Sequence, residues 1–595
     1  MVFQGSTPVN KRDYLSPETV IADGNDKFIY VALKETKRVT IVDVQTNKVV
    51  REINISQRPT GLVLSPTQPK LYVTGGMENG KVYEIDLGTG KVSWEIAIGY
   101  GPSNPAVSPD GKVLYVPTRF DNNVSVVDLA KHKVIQHIPV RREPVTAILT
   151  NNGSLLFIGH LLPDGASDME NVAASISVIN TSNYKVINTI KMPNGSTEIH
   201  GMVISPDGQY LYISHLVGNY TLPTNQLERG WMNTNVFTII DIKSQKIIAN
   251  ILLDDLDKGA ANPWGVAVSN NGALLVVAHA GTNEISIIER KELHKKLDSI
   301  ARGEQVTAAS TKLEDISSDF SFLVGLRQRI QLKGIGPRCL AIAGGEIFVA
   351  EYFSGSLGII DLNDLRHVQS KPLGEEQEMS VERRGEMIFN DATKCFQSWQ
   401  SCISCHPDAR SDGLNWDLMN DGIGHPKNTK SLLLSHKTPP AMALGIRANA
   451  EVAVRSGFKY ILFSPIAEYD AVSVDEYLRS IRPLPSPHLI KGELNKSARR
   501  GEILFEKVGC INCHSGPYFT NMKSYDVGTL RDWDKSMKKP SLDVPSLIEV
   551  WRTAPYLHDG RAVTVQEAFS ACHPEGVKGM SENEMSDLVE YVLSL

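Results

Sequence analysis

The chain of 595 residues contains no apolar run of about eighteen, so nothing in it reads as a membrane-spanning helix. It also lacks a basic cluster and any aromatic stacking platform. With a formal net charge of −6 and both signs dispersed, it is a poor match for a nucleic-acid partner. The opening Met1-Val2-Phe3-Gln4-Gly5-Ser6 has neither the charged start nor the apolar core of an export signal and reads as an expression scar. Cysteine is scarce, with seven in all, and four of them fall in two short strings.

Those strings are Cys402-Ile403-Ser404-Cys405-His406 and Cys510-Ile511-Asn512-Cys513-His514. Two thiols at this spacing can add across the two vinyl groups of one haem, and the adjoining imidazole can turn onto the iron. A zinc reading would pool the four thiolates on one ion. It leaves both histidines unexplained and asks two pairs about a hundred residues apart to meet. The flanks are duplicated as well. Arg383-Arg384-Gly385-Glu386-Met387-Ile388-Phe389 precedes the first string and Arg499-Arg500-Gly501-Glu502-Ile503-Leu504-Phe505 the second, with Phe389 and Phe505 placed to pack on a haem edge. Downstream, Ser431, Leu432, Thr438, Pro440 and Gly445 recur at the same spacing as Ser546, Leu547, Thr553, Pro555 and Gly560. An all-α module of two tandem cytochrome c units is expected over 376–595, divided near 490.

This tandem, with the segment Thr553-Ala554-Pro555-Tyr556-Leu557-His558-Asp559-Gly560-Arg561 and a closing helix over 581–595, resembles the bacterial di-haem cytochrome c peroxidase and MauG family over a little more than a third of the chain. The resemblance implies two coupled c-type haems, one a low-spin relay and the other the place where peroxide reacts. It also implies a redox protein as electron donor or acceptor. In the peroxidases the first iron has a removable histidine in a Gly-His turn, which places His425 of Gly422-Ile423-Gly424-His425 as a cap. MauG-like members leave that iron open. An acid–base glutamate is matched most nearly by Glu468, while the tryptophan that bridges the haems has no clean counterpart. Where the family places methionine or tyrosine on the second iron, this chain reads Ala571-Cys572-His573. His573 is therefore the candidate sixth ligand opposite His514, with Cys572 as the lesser candidate. Covalent haem is attached outside the cytoplasm, so a removed export signal and a periplasmic or cell-surface location are expected.

The first 375 residues read differently. Short Val/Ile/Tyr-rich runs alternate with Gly, Asn and Asp turns, and seven hydrophobic strands end in an acid or a substitute: Asp43, Asp86, Asp128, Asn180, Asp241, Glu289 and Asp361. One four-stranded unit cannot bury its own faces, so seven must close into a ring over 17–375, after a disordered start at 1–16. This part resembles the YVTN-type seven-bladed β-propellers. The segment 290–322 interrupts blade six as a charged helical excursion, and 369–380 reads as the domain boundary.

One repeat position stands out. After the Leu-Tyr-Val strand, blades one to three carry Leu33, Gly75 and Thr118, whereas blades four to seven carry His160, His215, His279 and Glu351. A second shared position gives Thr60, Ser103, Val145, His200, Trp264 and Arg338. Imidazoles and a carboxylate converging at one mouth are what a copper, zinc or iron ion needs, with His200 as a further ligand or support. The bland alternative bonds each histidine to its own surroundings. Two insertions, 161–175 and 216–234, rise from the same face, and segment 226–233 of the second has the mixed aromatic and charged make-up of a pocket lid. Three functions are therefore open: peroxidase-like haem chemistry with His406 and His514 on the irons, oxidation of a small substrate at a mouth metal with the haems as relay, and a docking platform.

Overall fold

The computed structural model describes residues 14–223, 231–375, 377–419, 424–534 and 541–595. Seven four-stranded antiparallel sheets, each built from four consecutive strands, make up the propeller. The strand-ending acids have a physical reason. The Asp43 carboxylate accepts from Thr46 N (2.8 Å), Asp86 from Thr89 N (2.7 Å), Asp128 from Lys131 N (2.9 Å) and Asp241 from Ser244 N (2.7 Å). Each closes the hairpin between third and fourth strands as an Asx turn. Glu289 breaks the pattern because blade six has no such hairpin: helix α1 (Arg290–Ala301) starts there, and the outer strand Arg327–Gln331 pairs only after the excursion. Leu293, Leu297 and Ile300 of α1 pack on Tyr212, Phe237 and Ile251, so the excursion covers the flank of the ring.

The middle strands of each blade are buried and the outer strands face water, as in Phe28–Leu33 against Lys48–Asn54. Among the described residues no strand is exchanged to lock the ring. Closure rests on apolar packing of Val20, Val31 and Leu33 of blade one against Phe348, Ala350 and Leu357 of blade seven.

After the last propeller strand (Val368–Pro372), which already occupies the start of the expected boundary, the chain becomes mainly helical: α2 (Val381–Asn390), α3 (Ala450–Tyr460), α4 (Glu468–Ser480), α5 (Lys496–Lys507), α6 (Val565–Cys572), α7 (Pro574–Val577) and α8 (Glu582–Leu593). Two ribbons of two-residue strands, Asn415–Trp416 with Lys427–Asn428 and Ser524–Tyr525 with Leu542–Asp543, qualify the all-α expectation. The duplication is structural. Helix α2 crosses α4 where a Cβ on Gly385 would run into the Ser473 carbonyl and Tyr477, and α5 crosses α8 where one on Gly501 would meet the Asp587 carbonyl and Tyr591. The glycine of each Arg-Arg-Gly-Glu is thus the point of closest helix approach. The downstream repeats match too. Met442 and Leu557 adopt φ of 75° and 74°, Gly445 and Gly560 both adopt 62°, and bridges join Ala441 to Arg447 and Tyr556 to Ala562.

Candidate functional site

Both C-x-x-C-H strings fold into the same turn. Cys402–Ser404 and Cys510–Asn512 are single 3-10 turns, His406 N donates to Cys402 O and His514 N to Cys510 O, each at 2.9 Å. Each imidazole is fixed from behind. His406 Nδ1 lies 2.9 Å from the Arg410 carbonyl and His514 Nδ1 lies 3.1 Å from the Phe519 carbonyl. A carbonyl can only accept, so Nδ1 carries the proton and Nε2 keeps its lone pair for a metal. Burial lowers both histidines below their ordinary range, which keeps them neutral. All four thiols are free. Burial pushes Cys402 up to about 12 and Cys405 well above its ordinary value. Two free thiols and a neutral imidazole with one ring nitrogen held fit covalent haem at each string.

His573 ends α6, its N bonded to Phe569 O at 2.9 Å. Its charge would lower the pKa of His514, so the two imidazoles stand near one another. No hydrogen bond to the His573 ring occurs among the described residues. Cys572 is free, its thiol pushed by burial to about 11. His425 is buried and follows Gly424, whose N donates to Asp417 Oδ2 at 2.7 Å; Gly422 and Ile423 of the expected turn lie outside the described residues. Glu468 stands at the start of α4 with its side chain 71% exposed and paired to Arg455 at 2.5 Å. It is a surface ion pair rather than an acid–base group aimed at a buried site. The Arg455 guanidinium, as its largest influence, holds the Glu468 carboxyl below its ordinary range.

The four candidate metal ligands of the propeller are not brought together. Each is buried and turned into its own blade. His160 Nδ1 donates to Arg142 O (3.1 Å) and its Nε2 meets Ser177 Oγ (2.9 Å). His215 Nδ1 donates to Leu216 O (2.9 Å) with Nε2 on Thr238 Oγ1 (2.7 Å). His279 Nε2 meets Ser286 Oγ (2.8 Å), and Glu351 accepts from Gly334 N (3.0 Å) and Ser356 Oγ (2.6 Å) and pairs with Ser370. The partner is a third-strand hydroxyl in every case, so these side chains tie the second strand to the third. Burial lowers His160 and His215 to about 4 and raises Glu351. Among the described residues no group of three metal-ligating side chains occurs. His200 is also elsewhere: its Nε2 lies 3.2 Å from Glu198 Oε2 and its ring is stacked on Trp264 at 3.5 Å.

The mouth itself is covered by the unit that carries the first C-x-x-C-H string. Asn262 Nδ2 donates to Ser401 Oγ (2.8 Å) and Asn262 Oδ1 accepts from Ser404 Oγ (2.6 Å). Asn233 Nδ2 donates to Gln400 Oε1 (2.7 Å), and Asn235 Nδ2 to Trp399 O (3.1 Å). Behind these asparagines, Asp254 accepts from Asn235 N and Nδ2, each at 2.8 Å, and from Ala260 N at 2.7 Å. On the other side Asp408 joins Arg119 (2.7 Å) and Arg552 (2.5 Å). Burial opposes ionisation of Asp408, but these guanidinium groups hold its carboxyl far below the usual range. Residues 224–230, and with them most of the segment read as a lid, lie outside the described residues; the described parts of both insertions contact the C-terminal module. Ser167 N donates to Gly560 O (2.8 Å), Asp168 pairs with Arg531 (2.7 Å), and Trp231 stacks on Trp399 at 4.9 Å. Sequence reasoning missed Asn262 and Asp408 because their partners lie across this interface.

No family model matches the chain. It is similar to hydrazine synthase subunit gamma of Kuenenia stuttgartiensis, 25% identical over 38% of this chain and 85% of that one. It is also similar to subunit beta of the same enzyme, 26% identical over 37% of this chain. There the match spans only 56% of the relative's length. Cytochrome-c peroxidase IdrP1 of Pseudomonas sp. strain SCT is 23% identical over 36% of this chain and 78% of that one. A solved chain of Kuenenia stuttgartiensis hydrazine synthase superposes with a TM-score of 0.53 at 24% identity, covering 61% of this chain and 99% of that chain. This last likeness bears on the fold. The relatives are thus a cytochrome-c peroxidase and subunits of a hydrazine synthase, and the propeller stands in the structure; no helix among the described residues is long and apolar enough to cross a membrane.

Proposed function

We propose that the protein is an exported di-haem c-type oxidoreductase in which the first haem unit handles a small substrate such as peroxide and the second exchanges electrons with a redox partner. The observation that carries this reading is the identical turn at 402–406 and 510–514, with Nδ1 of each histidine donated to a backbone carbonyl. A bound c-type haem would supply an iron that changes oxidation state by one electron. Cys402 with Cys405, and Cys510 with Cys513, would anchor the two groups, His406 and His514 would present Nε2 to them, and His573 would complete the second. His425 remains the candidate cap of the first. The residues around the turns divide the labour. The propeller mouth covers the first unit and excludes water, whereas the second exposes Ile511 (43%) with Met522 and Tyr525 near it in sequence, an apolar edge suited to a transient protein partner. A periplasmic or cell-surface home follows from covalent haem attachment.

Similarity to two different subunits of one enzyme supports a further point, that the chain joins two kinds of unit in one polypeptide. The propeller is then a platform whose occupant is the chain's own haem module. Oxidation at a mouth metal has lost its four ligands to intrablade bonds. Denaturing mass spectrometry of protein made in a haem-attaching host tests the main reading: two added haem masses are expected, and one or none overturns it.

A further inference from the structure

At the covered mouth, next to the first turn, lies a group of side chains that the proposed haem chemistry does not use. Trp264 is held between two partners. The His200 ring lies parallel to it at 3.5 Å and 8°, and the Arg338 guanidinium sits 3.8 Å from its ring centre. Two groups so close to one ring take opposite faces, so Glu198, bonded to His200, and Arg338 stand at the two ends of a stack. Both are buried, Glu198 at 1% exposed and Arg338 at 5%. Each also keeps a buried polar atom without a hydrogen-bond partner, Oε1 of Glu198 and Nη1 of Arg338. A buried polar atom left unpaired is costly, because it has given up water and gained nothing. The other ends of both are tethered, Glu198 Oε2 to His200 (3.2 Å) and Arg338 Nη2 to Asn390 Oδ1 (3.0 Å) in α2. The stack is not sealed: the His200 side chain is 15% exposed and Trp264 is half-buried.

We propose that Glu198 and Arg338, spaced by Trp264, bind a small uncharged molecule that donates one hydrogen bond to Glu198 Oε1 and accepts another from Arg338 Nη1, beside the first haem unit. The surroundings decide against a charged ligand. Arg119 and Arg338 face Glu198 with positive charge, Asp408 and Asp412 with negative charge, so neither sign is favoured and a desolvated ion would be costly. Burial first, then Asp408 and Asp412, raise the Glu198 carboxyl well above its ordinary value, consistent with an uncharged site. The site rests on the functional reading above, since it supplies that haem unit with its substrate class.

Ligand-observed NMR on the haem-loaded full chain, with acetamide, formate and methylammonium as probes, tests it. Acetamide should bind at least tenfold more tightly than either ion, and Glu198→Ala and Arg338→Met should each weaken it about tenfold. Glu198→Gln, which keeps an uncharged donor and acceptor and tolerates burial, should hold acetamide within about threefold. Preference for formate or methylammonium, no acetamide binding, or equal binding in all variants overturns the proposal. Haem content by mass on the same samples separates the two ideas. Two haems without acetamide binding sink only the site, and a missing haem sinks the functional reading.

Discussion

The two haem units share a turn, a helix crossing and a downstream loop, yet they sit in different surroundings. The first has its string under the propeller mouth, with Ser404 buried and Ile403 packed among Ile388, Phe389 and Trp399. The second has no buried residue in its turn, and Ile511 faces solvent. Duplicated sequence thus supplies two equal turns, and the fused propeller makes their surroundings unequal. Local chemistry is set by about five residues; access, dielectric and partner are set by what covers them.

The largest effect should come from the shared crossing. Gly385→Val puts a side chain into the Ser473 carbonyl, an overpacking that no rotamer relieves, and should cost more than about 3 kcal/mol. Gly501→Val should do the same to the second unit. The comparison sharpens in the outcome. Loss of the first unit should also expose the propeller mouth and raise protease sensitivity at Asn233 to Asn262, whereas loss of the second should leave it protected. Equal sensitivity in limited proteolysis would erase the asymmetry.

Next in size is the asparagine clamp. Asn262→Leu leaves the Ser401 and Ser404 hydroxyls without their shared partner, at about 1–3 kcal/mol per stranded group. Denaturant unfolding should therefore lose about 2–4 kcal/mol in the step that releases the first unit, with the second unit's step unchanged.

A pH dependence distinguishes the two sides of the clamp. Burial raises Asp254 to about 6, so the stabilisation tied to its protonated form is fully present below the ordinary value near 4 and is lost as pH rises through about 6. The change amounts to at most about 3 kcal/mol. Asp408 has the opposite sign. Its depressed carboxyl stabilises above the ordinary range and fails as pH falls. Docking of the first unit should be strongest between these limits, and Asp254→Asn should flatten only the neutral-side slope, as read from unfolding free energies across pH 4 to 8.

Much of this was legible in the chain because repetition exposes position. Asp43, Asp86, Asp128 and Asp241 mark hairpins since each carboxylate caps a turn it can reach within three residues, and Gly385 with Gly501 mark a crossing. The same comparison misled at His160, His215 and His279. Shared repeat position places residues on one level of the ring, but it does not say which way the side chain turns, and a buried imidazole finds the hydroxyl of the adjacent strand before it finds its neighbour 10 Å or so away across a blade. Glu468 failed for another reason: Arg455, thirteen residues earlier, claims it at the surface. Asn262 carries no local signal at all, since its partner Ser404 comes from a different architecture more than a hundred residues on.

The smallest expected change in stability belongs to His573, and it bears on the second unit alone. Its ring lies near His514, and no hydrogen bond to it occurs among the described residues. Removal should therefore cost little folding energy, under about 1 kcal/mol for a half-buried side chain without a hydrogen bond. The spectroscopic effect should be large by contrast. If His573 completes the second group, His573→Gly should convert that unit's low-spin signal to high-spin and let added imidazole restore it, while the first unit stays unchanged beneath the propeller. His573→Met should restore the low-spin signal at a higher potential, because a thioether favours the reduced ion. An unchanged spectrum in His573→Gly, with two haems still attached, would assign the sixth position to another group and leave Cys572 as the next residue to replace.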